Sequence, residues 1–523
     1  LQAALILSVA FFLSRVTGLL QAVLINSRLP DHAAAAYYAA FKLPDTVNYL
    51  VAGGAMSITF IPIFTQLLRN EDDRAAWRFF GTISTIMGGV LMLLIVLSMW
   101  QAELLVTLLV PGFTEPGKED TLALAIAMTK VLLPAQLFFY LGGMIVGVLN
   151  AHKRFGVTGY TGVVYNLVAI VFGVVLSFLT PMGFAWGILI GAATGNFLMP
   201  LIAALKAPPE ERLRFRPGID WKNPSVRRFF LNALPIMLGV SLPVIDQTVV
   251  GFFASHLTDA SFRNLTTGNR FMLAPLGIVA QAASVAAFPY LASDSAAQDW
   301  KKFSDFLRSG LRRLMFLTLP LSVLLILIAQ PLMRLFSFGH FDSAAADETA
   351  IAFAFYCVGL FAWAGQQFVA RGFYAIQDTR TPTIIGSALA VFFFVPLCWF
   401  FSFGGVLGLA MATSIGAGAQ FIGVTLALNR RLKSPRFDAP LRLERIMGTL
   451  LRTGAACAAM AVVGLFVNLA LNMAMGSSKW LECIRIAVIS SAAIAAFVLA
   501  AQRFHIPEWF WLRDKALSRF KRR

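Results

Sequence analysis

Charge is what this sequence has least of. Asp, Glu, Lys and Arg make up 13% of its 523 residues, about half the ~25% share of an ordinary soluble domain. Apolar residues reach 58% and mean hydropathy is +0.74, a balance that excludes a soluble multidomain enzyme. Cysteine is equally sparse. Cys357, Cys398, Cys457 and Cys483 all fall in apolar runs without metal-ligand spacing, so they read as small core residues and imply neither a disulfide framework nor a metal site. No Ser-His-Asp arrangement or phosphate-cradling loop occurs in a suitable context. Gly404-Gly405-Val406-Leu407-Gly408 opens an apolar span and lacks a following Lys-Ser/Thr, which excludes a P-loop ATPase. No enzyme and no bound cofactor is implied.

What is present is a succession of apolar runs, each near the roughly 20 residues that cross a ~30 Å hydrocarbon core. Runs such as Ile83 to Met99 are continuous rather than alternating, which excludes a β-barrel. The expected fold is all-α and polytopic, with about fourteen transmembrane helices: 2–27, 33–67, 79–100, 122–149, 159–179, 183–205, 229–255, 266–292, 309–334, 346–375, 381–401, 404–428, 444–472 and 482–502. The opening stretch reads as the first span rather than a removable signal peptide.

A net charge of +17 would suggest nucleic acid if it were uniform, but it is segregated. Arg15, Lys42, Lys130, Arg270, Arg371, Arg452 and Arg485 fall at membrane depth or its margin. One set of alternate connections holds only Arg28, Lys118, Arg263, Arg334 and Lys479. The other holds Arg69 to Arg78, Lys153-Arg154, Lys206 to Arg228, Lys301 to Arg313, Arg380, Arg430 to Arg445 and the tail. By the positive-inside rule the rich side and both termini are cytoplasmic, and no nucleic-acid partner is implied.

Short matches recur in register. Gly112-Phe113 before Glu119-Asp120-Thr121 returns as Gly339-His340-Phe341 before Asp347-Glu348-Thr349, Gly147 returns as Gly372, and Pro62 as Pro289. The offset joins span n to span n+6, as in the parallel repeats of transporters that alternate access between two lobes. The expected domains are an N-terminal six-helix lobe (1–205), a cytoplasmic linker (206–228), a C-terminal six-helix lobe (229–428), two further helices (429–505) and an interfacial tail (506–523). The added helices either supply a lipid groove or pad the bundle. The tail interleaves Trp509, Phe510, Trp511, Leu512 and Phe520 with Arg513, Lys515, Arg519 and Lys521 to Arg523, an amphipathic pattern suited to anionic lipids.

A charge at mid-membrane on a single helix costs ~2.5–3.5 kcal/mol on insertion scales, so such groups face a bundle interior or cavity. Arg15 lies midway in span one, with Gly18, Ala22 and Asn26 continuing its face; the alternatives are a ligand contact or an Arg tied to carbonyls. Span two carries Lys42, Pro44, Asp45 and Asn48 before Gly53-Gly54; Lys42 and Asp45 are one turn apart and can pair, and Pro44 bends the helix. Span seven holds Pro243 and Asp246, the latter a counter-charge or a proton or cation site. Span eight offers Asn269-Arg270, where snorkelling is the alternative to a cavity role. Arg371 reaches the cytoplasmic mouth, and Asp378, like Lys153-Arg154 in the first half, sits at a cytoplasmic turn. Both are gate or coupling candidates.

Taken together, Ser14-Arg15-Val16-Thr17-Gly18, Ala40-Phe41-Lys42-Leu43-Pro44-Asp45, Gly54-Ala55-Met56-Ser57, Phe60-Ile61-Pro62, Pro111-Gly112-Phe113, Gly147-Val148-Leu149-Asn150, Asn269-Arg270, Gly372-Phe373-Tyr374-Ala375 and Asp378-Thr379-Arg380-Thr381-Pro382 closely resemble the MurJ/MviN family, across residues 8–430. The resemblance implies the multidrug/oligosaccharidyl-lipid/polysaccharide exporter fold and a flippase for lipid II, the undecaprenyl-pyrophosphate-linked peptidoglycan precursor. It implies a cationic central cavity in which Arg15, Lys42 and Arg270 meet the pyrophosphate, Asn48 occupies a substrate position, and Asp45 and Asp246 position the cations or couple transport. Proton or monovalent-cation coupling, or dependence on membrane potential, is the corresponding energy source; the protein is expected to act as a monomer, with other envelope-synthesis proteins as further partners. The sequence departs from the family where relatives carry Arg-Asp against Gln21-Ala22, Arg against Asn48, Glu against Gly53 and Asp against Ala35. Those departures keep open a flippase for another polyprenyl-linked oligosaccharide, a cation-coupled exporter of amphiphiles, or a nontransporting scaffold.

Overall fold

The computed structural model describes residues 2–52, 59–69, 73–152, 154–240, 242–474, 476 and 478–520. Gly53 to Ser57, Lys153 and Lys521 to Arg523 lie outside the described residues. The regular elements are helical, apart from one isolated antiparallel bridge between Phe338 and Phe341. Among the described residues, nine helical runs are long and apolar enough to cross a bilayer, or ten if a bent pair counts as one span. The expected spans 2–27, 33–67, 229–255 and 266–292 are not in that set. The chain divides into two compact units, Leu1–Arg263 and Asn264–Arg523.

The first unit contains α1 (Gln2–Arg28), α2 (Asp31–Ala40), α3 (Lys42–Ala52), α4 (Ile61–Arg69), α5 (Asp73–Trp100), α6 (Ala102–Leu109), α7 (Glu119–Leu132), α8 (Ala135–Ala151), α9 (Phe155–Ser177), α10 (Gly183–Gly191), α11 (Met199–Leu205), α12 (Pro224–Val240) and α13 (Leu242–Ala254). α14 (Asp259–Leu276) carries the chain into the second unit.

Within the expected span 33–67 the described residues include α2, α3 and α4, and the break between α2 and α3 follows from Pro44. A proline lacks an amide hydrogen and crowds the carbonyl four residues back, here Ala40. The helix interrupts at Phe41, and the Ala40 carbonyl accepts a bond from the Thr129 hydroxyl at 3.2 Å. The core of the unit is aromatic, with Phe60 stacked between Phe64 and Phe79 at 5.4 and 5.5 Å and Tyr140 and Phe229 in the same cluster. α9 packs on α1 and α10. Gly187 lets α10 approach the α9 backbone, where a Cβ would lie 2.7 Å from Gly173 N, a close approach that favours small residues between membrane helices. The basic segment before α12 is tied back to this unit. Glu211 accepts from Arg154 at 2.5 Å, Leu213 N donates to Ala204 O at 3.1 Å, and Phe215 meets Phe80 edge-on.

The second unit contains α15 (Ala282–Ala296), α16 (Trp300–Leu327), α17 (Ala329–Leu335), α18 (Ser343–Val358), α19 (Leu360–Ala375), α20 (Arg380–Leu389), α21 (Val395–Ser402), α22 (Gly405–Leu432), α23 (Leu443–Ala474), α24 (Lys479–Arg503) and α25 (Pro507–Phe520). α14 has Pro275 near its end and passes through a π-helical turn, Gly277–Gln281, into α15. α18 and α19 meet at 42° about Gly359, whose amide donates to Ser414 Oγ at 3.1 Å. α16, α23 and α24 share a core of Phe316, Met460, Ile489 and Phe497, onto which Ile506 and Trp509 seat α25.

Three expectations are corrected here. Lys301 to Arg313 are not in a connection. Asp299 caps α16 by accepting from Lys302 N at 3.1 Å, so these cations ride on its opening turns. Arg263 is not in an outer loop: it lies on α14, one turn after Asp259, and is 1% exposed. Cys483 is exposed, whereas Cys357, Cys398 and Cys457 are buried. Elsewhere the surface is unlike that of a soluble protein. Leu93, Val96, Phe392, Phe400, Leu465 and Phe466 are all exposed, as expected of side chains facing acyl chains.

Candidate functional site

Arg15 lies on the long helix α1, Lys42, Asp45 and Asn48 on α3, Asp246 on α13 and Arg270 on α14. On α3, Lys42 and Asp45 are half-buried. Lys42 Nζ donates to the Gln247 carbonyl of α13 at 2.8 Å, beside Asp246, which is also half-buried. The ammonium reaches that carbonyl because Gly251 leaves room: a Cβ there would lie 2.8 Å from Lys42 Cε. Asn48 is engaged, its amide donating to Gln136 Oε1 of α8 at 2.6 Å.

Arg15 is exposed on α1. The expected small face beside it is helix packing. Gly18 lies against Asn166 of α9, Ala22 is buried, and buried Asn26 accepts from the Tyr38 hydroxyl at 2.9 Å. Asn166 also donates to Ser14 O at 2.8 Å and Thr17 Oγ1 at 3.0 Å. These bonds fix the register of α1 on α9 around Arg15.

In the second unit Arg270 is half-buried on α14. The same helix packs Gly268 against Ala352 and Phe353 of α18, and Asn264 donates to Glu348 at 2.7 Å. Arg371 on α19 is half-buried with its guanidinium 5.9 Å from the Tyr374 ring. Asp378 caps α20, accepting from Thr381 N at 3.0 Å and Thr381 Oγ1 at 2.7 Å, with Arg431 Nε 3.8 Å away. The left-handed φ of +60° at Gln377 turns the chain into this cap.

A cluster that sequence reasoning missed closes one end of the first unit. Lys118 Nζ donates to Ser255 O at 2.9 Å, Leu257 O at 2.8 Å and Gly112 O at 3.4 Å, and pairs with Glu115 at 3.3 Å. Glu115 also meets His256 Nδ1 at 2.6 Å. The hydrogen bond with His256 does most to hold the Glu115 carboxyl below its ordinary value; desolvation opposes it, and the neighbouring Lys118 ammonium adds to the lowering. Gly112 N donates to Ser255 Oγ at 2.9 Å, Thr121 to Asp259 at 2.6 Å, and buried Arg263 pairs with Asp31. The cluster therefore joins the loop 110–121 and the start of α2 to the α13–α14 corner. Pro111-Gly112-Phe113 was its one visible signal. Among the described residues, no group of three or more His, Cys, Asp or Glu is placed to hold a metal ion.

The family model described as lipid II flippase MurJ matches residues 30–483. The lipid II flippase MurJ of Burkholderia cenocepacia is 28% identical over 433 residues, covering 80% of this chain and 82% of that one. The probable lipid II flippase MurJ of a Synechocystis species is 26% identical over 544 aligned positions, covering 99% and 97%. Among solved structures, a lipid II flippase MurJ in an inward closed conformation superposes with a TM-score of 0.74 at 24% identity, over 96% of this chain and 99% of that one. An inward-facing MATE family multidrug resistance transporter of the MOP superfamily superposes at 0.65 and 14% identity, over 80% and 94%. Flippases are transporters rather than enzymes, and the expected membership holds: this chain belongs to the MurJ/MviN family of lipid II flippases.

Proposed function

We propose that this protein moves an undecaprenyl-pyrophosphate-linked peptidoglycan precursor from the cytoplasmic to the periplasmic leaflet of the inner membrane by alternating access, without covalent chemistry. The observation that carries this reading is where the polar groups lie. The expected first, second, seventh and eighth spans are two pairs related as n and n+6. They are also the spans that hold Arg15, Lys42, Asp45, Asn48, Asp246 and Arg270. Charged groups at membrane depth belong against a bundle interior or wet cavity, and Arg and Lys supply the charge-assisted bonds a pyrophosphate requires.

In this reading the chain has fourteen spans and cytoplasmic termini, and its lobes are 1–205 and 229–428, joined by 206–228. The pair of helices in 429–505 flanks a groove for the polyprenyl tail. Arg15, Lys42 and Arg270 neutralise the head group, and Asn48 lies beside it. Asp45 and Asp246 position the cations or take a proton or monovalent cation. Arg371 and Asp378 stand at the cytoplasmic mouth. The Lys118 cluster, on the Lys/Arg-poor side, is the barrier that parts when substrate leaves outward. The protein acts as a monomer among envelope-synthesis partners.

The test is lipid II accessibility in proteoliposomes holding the intact protein, Arg15→Ala or Arg270→Ala. Faster exposure with the intact protein, lost in both variants, is expected; exposure at the protein-free rate despite folded, inserted protein overturns the reading. One observation favours another polyprenyl-linked oligosaccharide as cargo. Where relatives carry charge, Gln21 and Ala22 are buried and Asn48 is engaged by Gln136. Competition between defined lipid-linked substrates separates the two cargoes.

A further inference from the structure

The second unit carries a cationic feature that transport does not use. Where α22 ends and α23 begins, the chain forms a half-open cavity of about 260 Å³ lined by Asn429, Lys433, Pro440, Arg442, Leu443 and Glu444. The loop around it is rigidly built. Ala439 N donates to Leu432 O at 2.9 Å, Leu441 N to Asn429 Oδ1 at 3.0 Å, and Ser304 Oγ to Pro440 O at 3.0 Å. Phe437 packs edge-on against Trp300 with centroids 4.6 Å apart.

Within this frame Asp438 and Arg442 adopt φ of +44° and +52°, a left-handed conformation that is unfavourable for residues bearing a Cβ and persists only where the surroundings enforce it. Leu441 is fixed on Asn429 and α23 starts at Leu443, so the chain must turn at Arg442. That turn sets Arg442 on the cavity wall with Lys433. Both side chains are exposed, and neither has an ion-pair partner among the described residues. The lining carries two cations against the single carboxylate of Glu444.

We infer that this cavity binds a phosphate ester, first of all the head group of an anionic phospholipid in the leaflet on the Lys/Arg-rich side. Its volume exceeds the ~30 Å³ share of one water and falls just below the ~300 Å³ at which sites for drug-sized ligands begin. It therefore takes a head group and leaves the acyl chains outside. The site lies where two membrane-length helices meet their connecting loop, the level at which lipid phosphates sit, and Lys and Arg hold phosphate through charge-assisted bonds. Glu444 weakens the field and tunes it toward a singly charged ester.

The experiment uses the delipidated full chain in neutral detergent, with retained lipid counted by native mass spectrometry. Phosphatidylglycerol, phosphatidylcholine and inorganic phosphate are titrated separately. One phosphatidylglycerol is expected to be held above the background of loosely bound lipid. Lys433→Ala and Arg442→Gly, the second of which keeps the left-handed turn, should each weaken it about tenfold, the effect of losing one charge-assisted bond. Glu444→Gln should tighten it, and phosphatidylcholine should bind more weakly. Saturable phosphate binding without phosphatidylglycerol binding would assign a soluble phosphate ligand to the same site. Equal retention of phosphatidylglycerol by the intact chain and the doubly substituted chain, with no phosphate binding, overturns the inference. Lys433 and Arg442 take no part in the proposed translocation path, so this result and the flipping assay stand or fall separately.

Discussion

Replacing Lys118 with Met tests the cluster that closes the first unit, because it keeps the apolar stem and removes only the ammonium. Its two short bonds, to Ser255 O and Leu257 O, are each of a kind that contributes about 1.5–3 kcal/mol when charged and buried. The Lys118 side chain is 14% exposed, so water reaches the vacated carbonyls and the full sum does not apply. A net loss of about 2 kcal/mol is expected, or ~30-fold in the equilibrium between closed and open cluster. Amide hydrogen exchange reads that opening locally, since the Gly112 amide is itself bonded to Ser255. Peptides covering 110–118 and 255–263 should exchange ~30-fold faster, while those from α22 stay unchanged. Unaltered exchange at 255–263 would refute the assignment of Lys118 as the tie between these loops.

The same cluster should respond to acid. The Glu115 carboxyl is held below its ordinary 4.5, so its contribution is complete above about that pH and is lost as pH falls through the lowered value. Exchange at 110–118 should quicken only below about pH 4.5, and Glu115→Gln should flatten the rise. Gly251→Ala should push Lys42 from the Gln247 carbonyl and slow flipping about tenfold, one charge-assisted bond's worth; an additive double variant with Lys42→Ala would show that the two residues act independently. Glu482 and Arg485, 3% and 4% exposed and 3.0 Å apart on α24, form a buried pair. Arg485→Leu should destabilise by about 3–5 kcal/mol, and Glu482→Leu added to it should recover part of that, as read by thermal unfolding in detergent.

Much of the fold was legible because each long apolar helix is locally encoded. α5, α9, α22, α23 and α24 each carry a full bilayer-crossing pattern within their own residues. The expected bend at Pro44 was legible for the same reason, and the structure adds only that the break falls at Phe41. What escaped depends on distant partners. Arg263 looks like a loop charge because its carboxylate, Asp31, is 232 residues away, and the Lys118 acceptors are 137 and 139 away. Asn48 was expected at a substrate position, and its engagement by Gln136 was not legible because that partner is 88 residues distant. The face of Gly18, Ala22 and Asn26 fits both a cavity and a packed interface, and only the position of α9 decides between them.

The bond from Thr129 to the Ala40 carbonyl has a mechanical consequence. A proline break leaves a carbonyl without its helical donor; here a neighbouring helix brings the Thr129 hydroxyl, shared with Ala125 O at 2.7 Å, within 3.2 Å of that atom. The joint at Phe41 therefore lies directly against α7, and a swing of the span about it must either carry Thr129 along or give up this contact.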